Sequence, residues 1–406
     1  MLRKMTVRDY PVDGKRALIR VDFNVPLDRQ TGAAADDTRL RASLPTLRYL
    51  LRRGCALVLC SHLGRPNGSV VEALRMAPVA TRLERLLRRP VLVARDCVGA
   101  AVERQSAALQ PGQVLLLENL RFHPEEEEND PRFSRMLARH GEVFVNDAFG
   151  TAHRAHASTV GVAAYLPAVA GLLMAREVRF LDMVVSHPRR PVALMLGGAK
   201  ISDKIGVLRH LLPKLTVACL GGGMANTFWK ARGIEVGASL TEDDQIGVAR
   251  AIDAEAPRYG ARVELPVDAV VAREAVAGAE HRIVTVAEGV PPGWKALDIG
   301  PASVERFQRA LAGARTVVWN GPLGVFEVPP FDAGTLAMAR VVAGLDALTF
   351  AGGGDTVAAL ERTGLVGRIT HVSTGGGASL ECLEGKTLPG VAALLDKPGR
   401  RTARGA

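Results

Sequence analysis

Aromatic side chains are scarce in this chain, at 4% with three tryptophans and four tyrosines, and none interleave with basic residues in the pattern that stacks nucleobases. A net charge of +10, mostly arginine, therefore points less to nucleic acid than to acidic small molecules. The five cysteines (Cys55, Cys60, Cys97, Cys219, Cys382) are odd in number and scattered. They lack the CxxC or Cys/His spacing of a structural metal site and read as reduced thiols in or near the core. No apolar run is long enough to cross a bilayer, and the N-terminal residues 1–16 lack the apolar stretch of a secretory signal. A cytoplasmic location is the expectation. There is no GxxxxGK[ST] sequence, which excludes a P-loop, and no short-period repeat, which excludes solenoids and propellers.

What is present is ordinary globular composition at a length that favours two domains: 406 residues, 48% hydrophobic and 23% charged. Short β-branched runs alternate with amphipathic stretches. Strands are expected over 16–23, 56–60, 91–94, 114–117 and 142–145. After a long apolar segment they resume over 192–196, 216–220, 262–265, 283–286, 316–319, 348–351 and 369–372. A helix over 40–53 places Leu40, Leu44, Leu47 and Leu51 on one face, with Pro45 either starting or kinking it. Such alternation implies a parallel sheet covered on both faces, with ligands beyond the strand C-termini. The segment 166–186, closed by Pro188 and Pro191, is the candidate interdomain helix and hinge. The resulting division is a first domain over 1–170, a hinge over 171–190, a second domain over 191–388 and a tail over 389–406 that returns to the first domain.

The two halves differ in chemistry. In the second, a strand runs three times into a triple glycine and then a helix, at Gly221–Gly223, Gly352–Gly354 and Gly375–Gly377. Glycine lets the backbone approach a phosphate, and the helix start behind it offers free N–H groups and roughly half a positive charge. Lys200 and Lys204, four apart after Gly197 and Gly198, share a face if a helix begins there. Asp355 either caps its helix or holds a magnesium ion, and Glu327 sits in a glycine-rich loop where a carboxylate suits ribose hydroxyls or simply solvent. In the first half, Arg39, His62, Arg65, Arg121 and Arg154 fall at strand ends or helix starts, where one sheet edge gathers them. Guanidinium forks match paired phosphate or carboxylate oxygens. A pocket for a small molecule with two anionic groups follows, against the plainer alternative of separate surface ion pairs.

The motifs RVDFNVP, DDTRLRASLPT, SHLGRP, LLLENLRF, VNDAFGTAHRAHAST, LGGAKISDKI, GGGMANTF, LDIGP, VVWNGPLGVFE, GGGDT and STGGGASLE resemble, in order and spacing, those of the phosphoglycerate kinase family. The resemblance implies an α/β fold of two Rossmann-like domains, each a parallel sheet flanked by helices, joined by a hinge helix. It implies reversible phosphoryl transfer between 1,3-bisphosphoglycerate and ADP, giving 3-phosphoglycerate and ATP, with Mg2+. Carried over residue by residue, it implies that Asp22, Phe23, Asn24, Arg39, His62, Leu63, Gly64, Arg65, Arg121 and Arg154 bind the glycerate substrate. Gly198, Ala199, Lys204, Gly222, Ala296, Asn320, Glu327, Gly353, Gly354, Asp355 and Thr356 take the nucleotide, Asp355 the metal, and Arg39, Lys200 and the helix start at Gly376 the transferred group. Lys295 and Ala296 stand where many members have Met-Gly, and Asn226 and Trp229 also depart from the pattern, so the base pocket differs in detail.

The reacting group in the ATP-consuming direction is a carboxylate, ionised at neutral pH because such acids titrate at roughly pH 3 to 4. It needs no general base; the difficulty is bringing two polyanions in line. Closure of the two domains about the hinge, excluding water, and a monomeric state are further expectations. Other readings of the same residues are a kinase for a different small acid, a non-catalytic nucleotide-binding regulator and a basic nucleic-acid binder.

Overall fold

The structure is a computed structural model that describes residues 4–28 and 31–398; the basic residues 399–406 of the expected tail lie outside the described residues. The chain divides into two compact units, Met1–Arg179 with Thr387–Ala406, and Phe180–Lys386.

The first unit is built on a six-stranded sheet of β1 (Arg16–Arg20), β2 (Ala56–Cys60), β3 (Leu92–Val93), β4 (Val114–Leu116), β5 (Val143–Asn146) and β6 (Ala168–Ala170). Its order is β3-β4-β2-β1-β5-β6, parallel throughout. Every residue of β2, β4 and β5 is buried, as continuous apolar runs require when helices cover both faces. The helix Thr38–Arg52 closes one face by burying Leu40, Leu44, Leu47 and Leu50 against Ile19, Leu57 and Val145. Pro45 neither starts this helix nor ends it; it lies inside, on the exposed side. Leu50, not the expected Leu51, completes the buried stripe. The strand order changes side at β1, from which the chain proceeds outward through β2 on one side and β5 on the other, the switch point where such sheets place ligands. Residues just before 399 pair with this unit: Met5 N donates to Leu395 O at 2.7 Å and Leu395 N to Ala168 O at 2.9 Å.

The expected helix over 166–186 is shorter than its apolar run. Ala168–Ala170 is strand β6, and the helix is Leu172–Val185. Buried Asp147, just after β5, holds the start of this helix, its Oδ1 accepting from Leu173 N at 2.9 Å and Met174 N at 3.2 Å. The unit boundary, between Arg179 and Phe180, falls within this helix.

The second unit holds a parallel six-stranded sheet of β7 (Val192–Leu196), β8 (Val217–Leu220), β9 (Arg262–Glu264), β13 (Thr316–Asn320), β14 (Leu348–Gly352) and β15 (His371–Val372), in the order β15-β14-β13-β7-β8-β9. Between β9 and β13 lies a second sheet that the alternation does not predict, the antiparallel β11-β10-β12 of β10 (Asp268–Ala272), β11 (His281–Thr285) and β12 (Lys295–Ile299). The strand expected over 283–286 belongs to this small sheet and not to the parallel one. All five cysteines are buried, and none of them forms a disulfide among the described residues. No helix among the described residues is long and apolar enough to cross a membrane.

Candidate active site

In the first unit the loops leaving β1, β2, β4 and β5, neighbours in the sheet, bring the predicted polar residues to one edge. Arg39 NH1 binds both oxygens of Asp22 at 2.9 Å. Asn24 Oδ1 accepts from Gly64 N at 2.9 Å, and Arg121 NH1 donates to Gly64 O at 2.9 Å. Phe23 N donates to Ser61 Oγ at 2.9 Å, and Leu63 is clamped on both backbone atoms by the buried Asn119 amide. His62 is 4% exposed. Burial holds its pKa well below the ordinary imidazole value, and the charges of Arg20, Arg121, Arg39 and Arg154 push it the same way. Four guanidinium groups therefore act on one neutral ring, which is the electrostatic mark of an anion-binding basin.

Arg121 is 5% exposed, and its NH2 is buried without a hydrogen-bond partner. A buried donor so left is costly unless a ligand satisfies it. Arg154 Nε hydrogen-bonds the neighbouring His153 ring at 3.3 Å. Arg65 is exposed, and no hydrogen bond or ion pair among the described residues ties it to the others. The residue that sequence reasoning missed is Arg20. Buried at the end of β1, it contacts His62 Nδ1 with NH2 at 3.1 Å and donates from Nε to Ser158 Oγ at 2.8 Å. Ser158 Oγ reaches buried Glu126 Oε1 at 2.5 Å, so Arg20 fixes the ring and is fixed in turn. An arginine at the buried end of a parallel strand, after the apolar run 17–19, was the available signal.

In the second unit, β8, β14 and β15 each run into one of the three triple-glycine turns, and the helices behind them are Gly222–Ala231, Gly354–Arg362 and Gly376–Leu383. No side chain caps any of the three starts; Gly222 N and Met224 N of the first donate to Leu323 O and Gly198 O, so the starts at Gly354 and Gly376 are the ones with first-turn N–H groups left for a ligand. Gly222 has φ +67°, and a Cβ there would stand 2.7 Å from Gly198 O, so only glycine fits the close passage of the two loops.

The first of these turns, at Gly222, and Asp355 in the helix behind the second border an open cleft lined among others by Gly198, Ala199, Gly222, Ala296, Glu327 and Asp355, while Gly376 packs beside Gly353. Trp229 and Asn226 also line it, and both are held: Trp229 Nε1 donates to Pro266 O at 3.2 Å and Asn226 Nδ2 to Leu240 O at 3.2 Å. Lys204 Nζ donates to Asn320 Oδ1, whose Nδ2 donates to Gly352 O at 3.0 Å. Burial lowers the Lys204 pKa. Thr356 Oγ1 accepts from Gly321 N at 2.8 Å, tying the helix Gly354–Arg362 to the loop after β13. Gly353 takes φ +95° beside the Asn320 amide. Asp298, on the cleft floor, is pushed up to about 8 by burial although Gly334 N and Ile299 N donate to it.

Two expectations need correction. Lys200 and Lys204 do not share a helical face, because Gly198 and the turn after it delay the helix to Ile205–Leu211 and leave Lys200 exposed in a loop. Asp355 is not a cap: it lies in the first turn behind Gly353, and its side chain bonds no helix amide. An exposed oxygen donor facing the cleft remains, which fits a hard cation completed by water and phosphate oxygens.

A guanidinium basin in one α/β unit and an amide-lined cleft in another define a kinase for a small anionic substrate. A model of the family described as phosphoglycerate kinase matches residues 7–386. Phosphoglycerate kinases of Moorella thermoacetica and Pelotomaculum thermopropionicum are each 56% identical over 396 residues, covering 98% of this chain and 100% of theirs. Among solved structures, that of phosphoglycerate kinase from Coxiella burnetii aligns with TM-score 0.87 at 38% identity, covering 96% of this chain and 98% of its own. The enzyme of Pyrococcus horikoshii aligns with TM-score 0.82 at 32% identity over the same shares. The chain belongs to the phosphoglycerate kinase family, enzymes of glycolytic phosphoryl transfer.

Proposed function

We propose that the first unit holds 3-phosphoglycerate or 1,3-bisphosphoglycerate in its arginine basin, that the second holds ATP or ADP in its glycine-lined cleft, and that this chain moves the phosphoryl group between them. The observation that carries the reading is the buried, unpartnered NH2 of Arg121 amid the charges converging on His62. Arg65, Arg121 and Arg154 match the substrate's phosphate, with Asp22, Asn24 and the backbone of Phe23, Leu63 and Gly64 shaping the pocket. His62, held neutral and hydrogen-bonded by Arg20, orients the substrate and moves no proton. Arg39 is tied to Asp22 until a more negative partner arrives.

The substrate carboxylate attacks already ionised, so no side chain serves as base. Arg39, Lys200 and the helix start at Gly376 oppose the charge that spreads over the equatorial oxygens. Lys204, Asn320, Gly353, Gly354 and Thr356 fix the nucleotide phosphates; Glu327 faces the ribose, and Ala296 with Trp229 the base. Asp355 is the residue fit to hold magnesium, which neutralises the nucleotide phosphates when bound. Transfer requires the two ligands to meet, and small-angle scattering is expected to show contraction with both bound; unchanged dimensions contradict this step. A monomer in the cytoplasm completes the reading. A coupled assay for ATP-dependent consumption of 3-phosphoglycerate is expected to give turnover that chelation of magnesium abolishes. Turnover on other small acids but not on this one overturns the substrate assignment.

A further inference from the structure

Three side chains of the first unit that the phosphoryl-transfer reading does not use converge behind the arginine basin. Asp96 and Cys97 follow β3, and His123 follows the turn Leu120–Phe122; one ligand atom from each lies within 4.8 Å of the other two. The thiol is fully buried, whereas Asp96 and His123 are 49% and 28% exposed. A sulfur donor thus lies beneath a nitrogen and an oxygen donor that solvent reaches.

Both strands of the cluster are fixed before any ion arrives. Asp96 Oδ1 accepts from Cys97 N at 2.6 Å, and Asp96 O accepts from Glu118 N at 3.3 Å. His140 Nε2 donates to Cys97 O at 3.1 Å, while its Nδ1 contacts Ser106 Oγ at 2.8 Å. His123 N donates to Leu120 O at 3.2 Å, and its ring lies 5.3 Å from the Phe133 ring, centre to centre. Such backing by neighbouring hydrogen bonds and packing orients the groups that ligate a metal.

We propose that Asp96, Cys97 and His123 form a binding site for one thiophilic divalent cation of the zinc class, separate from the magnesium that accompanies the nucleotide. One sulfur, one nitrogen and one oxygen donor suit zinc, whereas magnesium and calcium demand oxygen alone. Three protein ligands leave a fourth position, which opens toward solvent. On entry the ion parts the 2.7 Å contact of His123 Nε2 with Asp96 Oδ1. The Nε2 proton leaves to solvent and the neutral ring carries its one hydrogen on Nδ1, so that the Nε2 lone pair faces the ion, and the Cys97 thiol likewise loses its proton to solvent. The occupied site cross-links the loop after β3 to the turn that carries Arg121. Sequence spacing hides it, because the three residues meet only when β3 and β4 lie side by side.

The test is cobalt titration of the metal-free full chain. One equivalent is expected to produce a sulfur-to-cobalt charge-transfer band with tetrahedral ligand-field bands, displaced by one equivalent of zinc, and zinc is expected to raise the thermal midpoint. Cys97→Ser is expected to abolish the charge-transfer band. His123→Gln, at a partly exposed position, is expected to weaken zinc at least about tenfold, the loss that removing even a supporting partner causes. No charge-transfer band in the wild type, a band that persists in Cys97→Ser, or equal zinc stabilisation of wild type and His123→Gln each overturns the proposal and leaves an Asp–His pair beside a thiol.

Discussion

In the first unit Arg20, Arg39, Arg121 and Arg154 bring charge on side chains to one sheet edge, whereas the second unit sets glycine turns before three helix starts that no side chain caps and carries much of its positive potential in the backbone. The two solutions suit their ligands. Guanidinium forks read the compact, twice-anionic glycerate by geometry, while amides at glycine turns follow an extended polyphosphate without needing a side chain at each oxygen. Substitutions should therefore act differently on the two sides: by removing charge in the first unit, and by adding bulk in the second.

Lys200 is the sharpest challenge to that contrast, since it is a side-chain cation in the amide-lined unit. Lys200→Ala is expected to lower kcat by about 100- to 1000-fold, the loss typical of one strong transition-state donor, with nucleotide affinity little changed; unaltered turnover in a coupled assay would remove it from the reacting centre. Next in size is Arg65→Ala or Arg154→Ala. Each is expected to weaken 3-phosphoglycerate binding by about 1.5 to 3 kcal/mol, the worth of a charge-assisted hydrogen bond, while calorimetry shows ADP binding as before. Gly222→Ala is the mirror experiment. Its φ of +67° and the 2.7 Å approach to Gly198 O make an added methyl cost roughly 1 to 2 kcal/mol in backbone conformation alone, and ADP affinity should fall while 3-phosphoglycerate affinity holds.

A smaller effect separates the units by pH. Burial, helped by Arg20, Arg121 and Arg154, lowers the His156 pKa from 6.5 to about 4. A base depressed on folding binds more protons when unfolded, so its contribution to stability is present above pH 6.5 and is lost as pH falls through 4. Thermal midpoints measured across that range should fall less steeply for His156→Gln than for the wild type. An identical slope would mean that the ring is not held in its neutral form.

How much of this was legible in the sequence follows from where the chemistry is local. Strand, glycine and helix succeed one another within a few residues at Gly221, Gly352 and Gly375, so these turns could be read directly; so could the strand ends that carry His62 and Arg121. The antiparallel sheet could not. Its strands β10 and β12 contain Asp268 and Asp298, letters that argue against a buried strand, yet both carboxylates are buried because they accept from helix starts, Asp268 from Ala302 N and Ser303 N and Asp298 from Gly334 N. Arg20 escaped for the same reason: its partners His62 and Ser158 lie 42 and 138 residues away in the chain. The position of Lys200 depended on where a helix begins, which a glycine before it displaced.

Hydrogen exchange followed by mass spectrometry, with each ligand added alone to the intact protein, addresses the division of labour most directly. 3-Phosphoglycerate is expected to slow exchange around Asp22–Asn24, His62–Arg65, Arg121 and Arg154, and ADP around Gly198–Lys204, Gly222 and Gly353–Thr356. Protection of the same unit by both ligands would contradict the account.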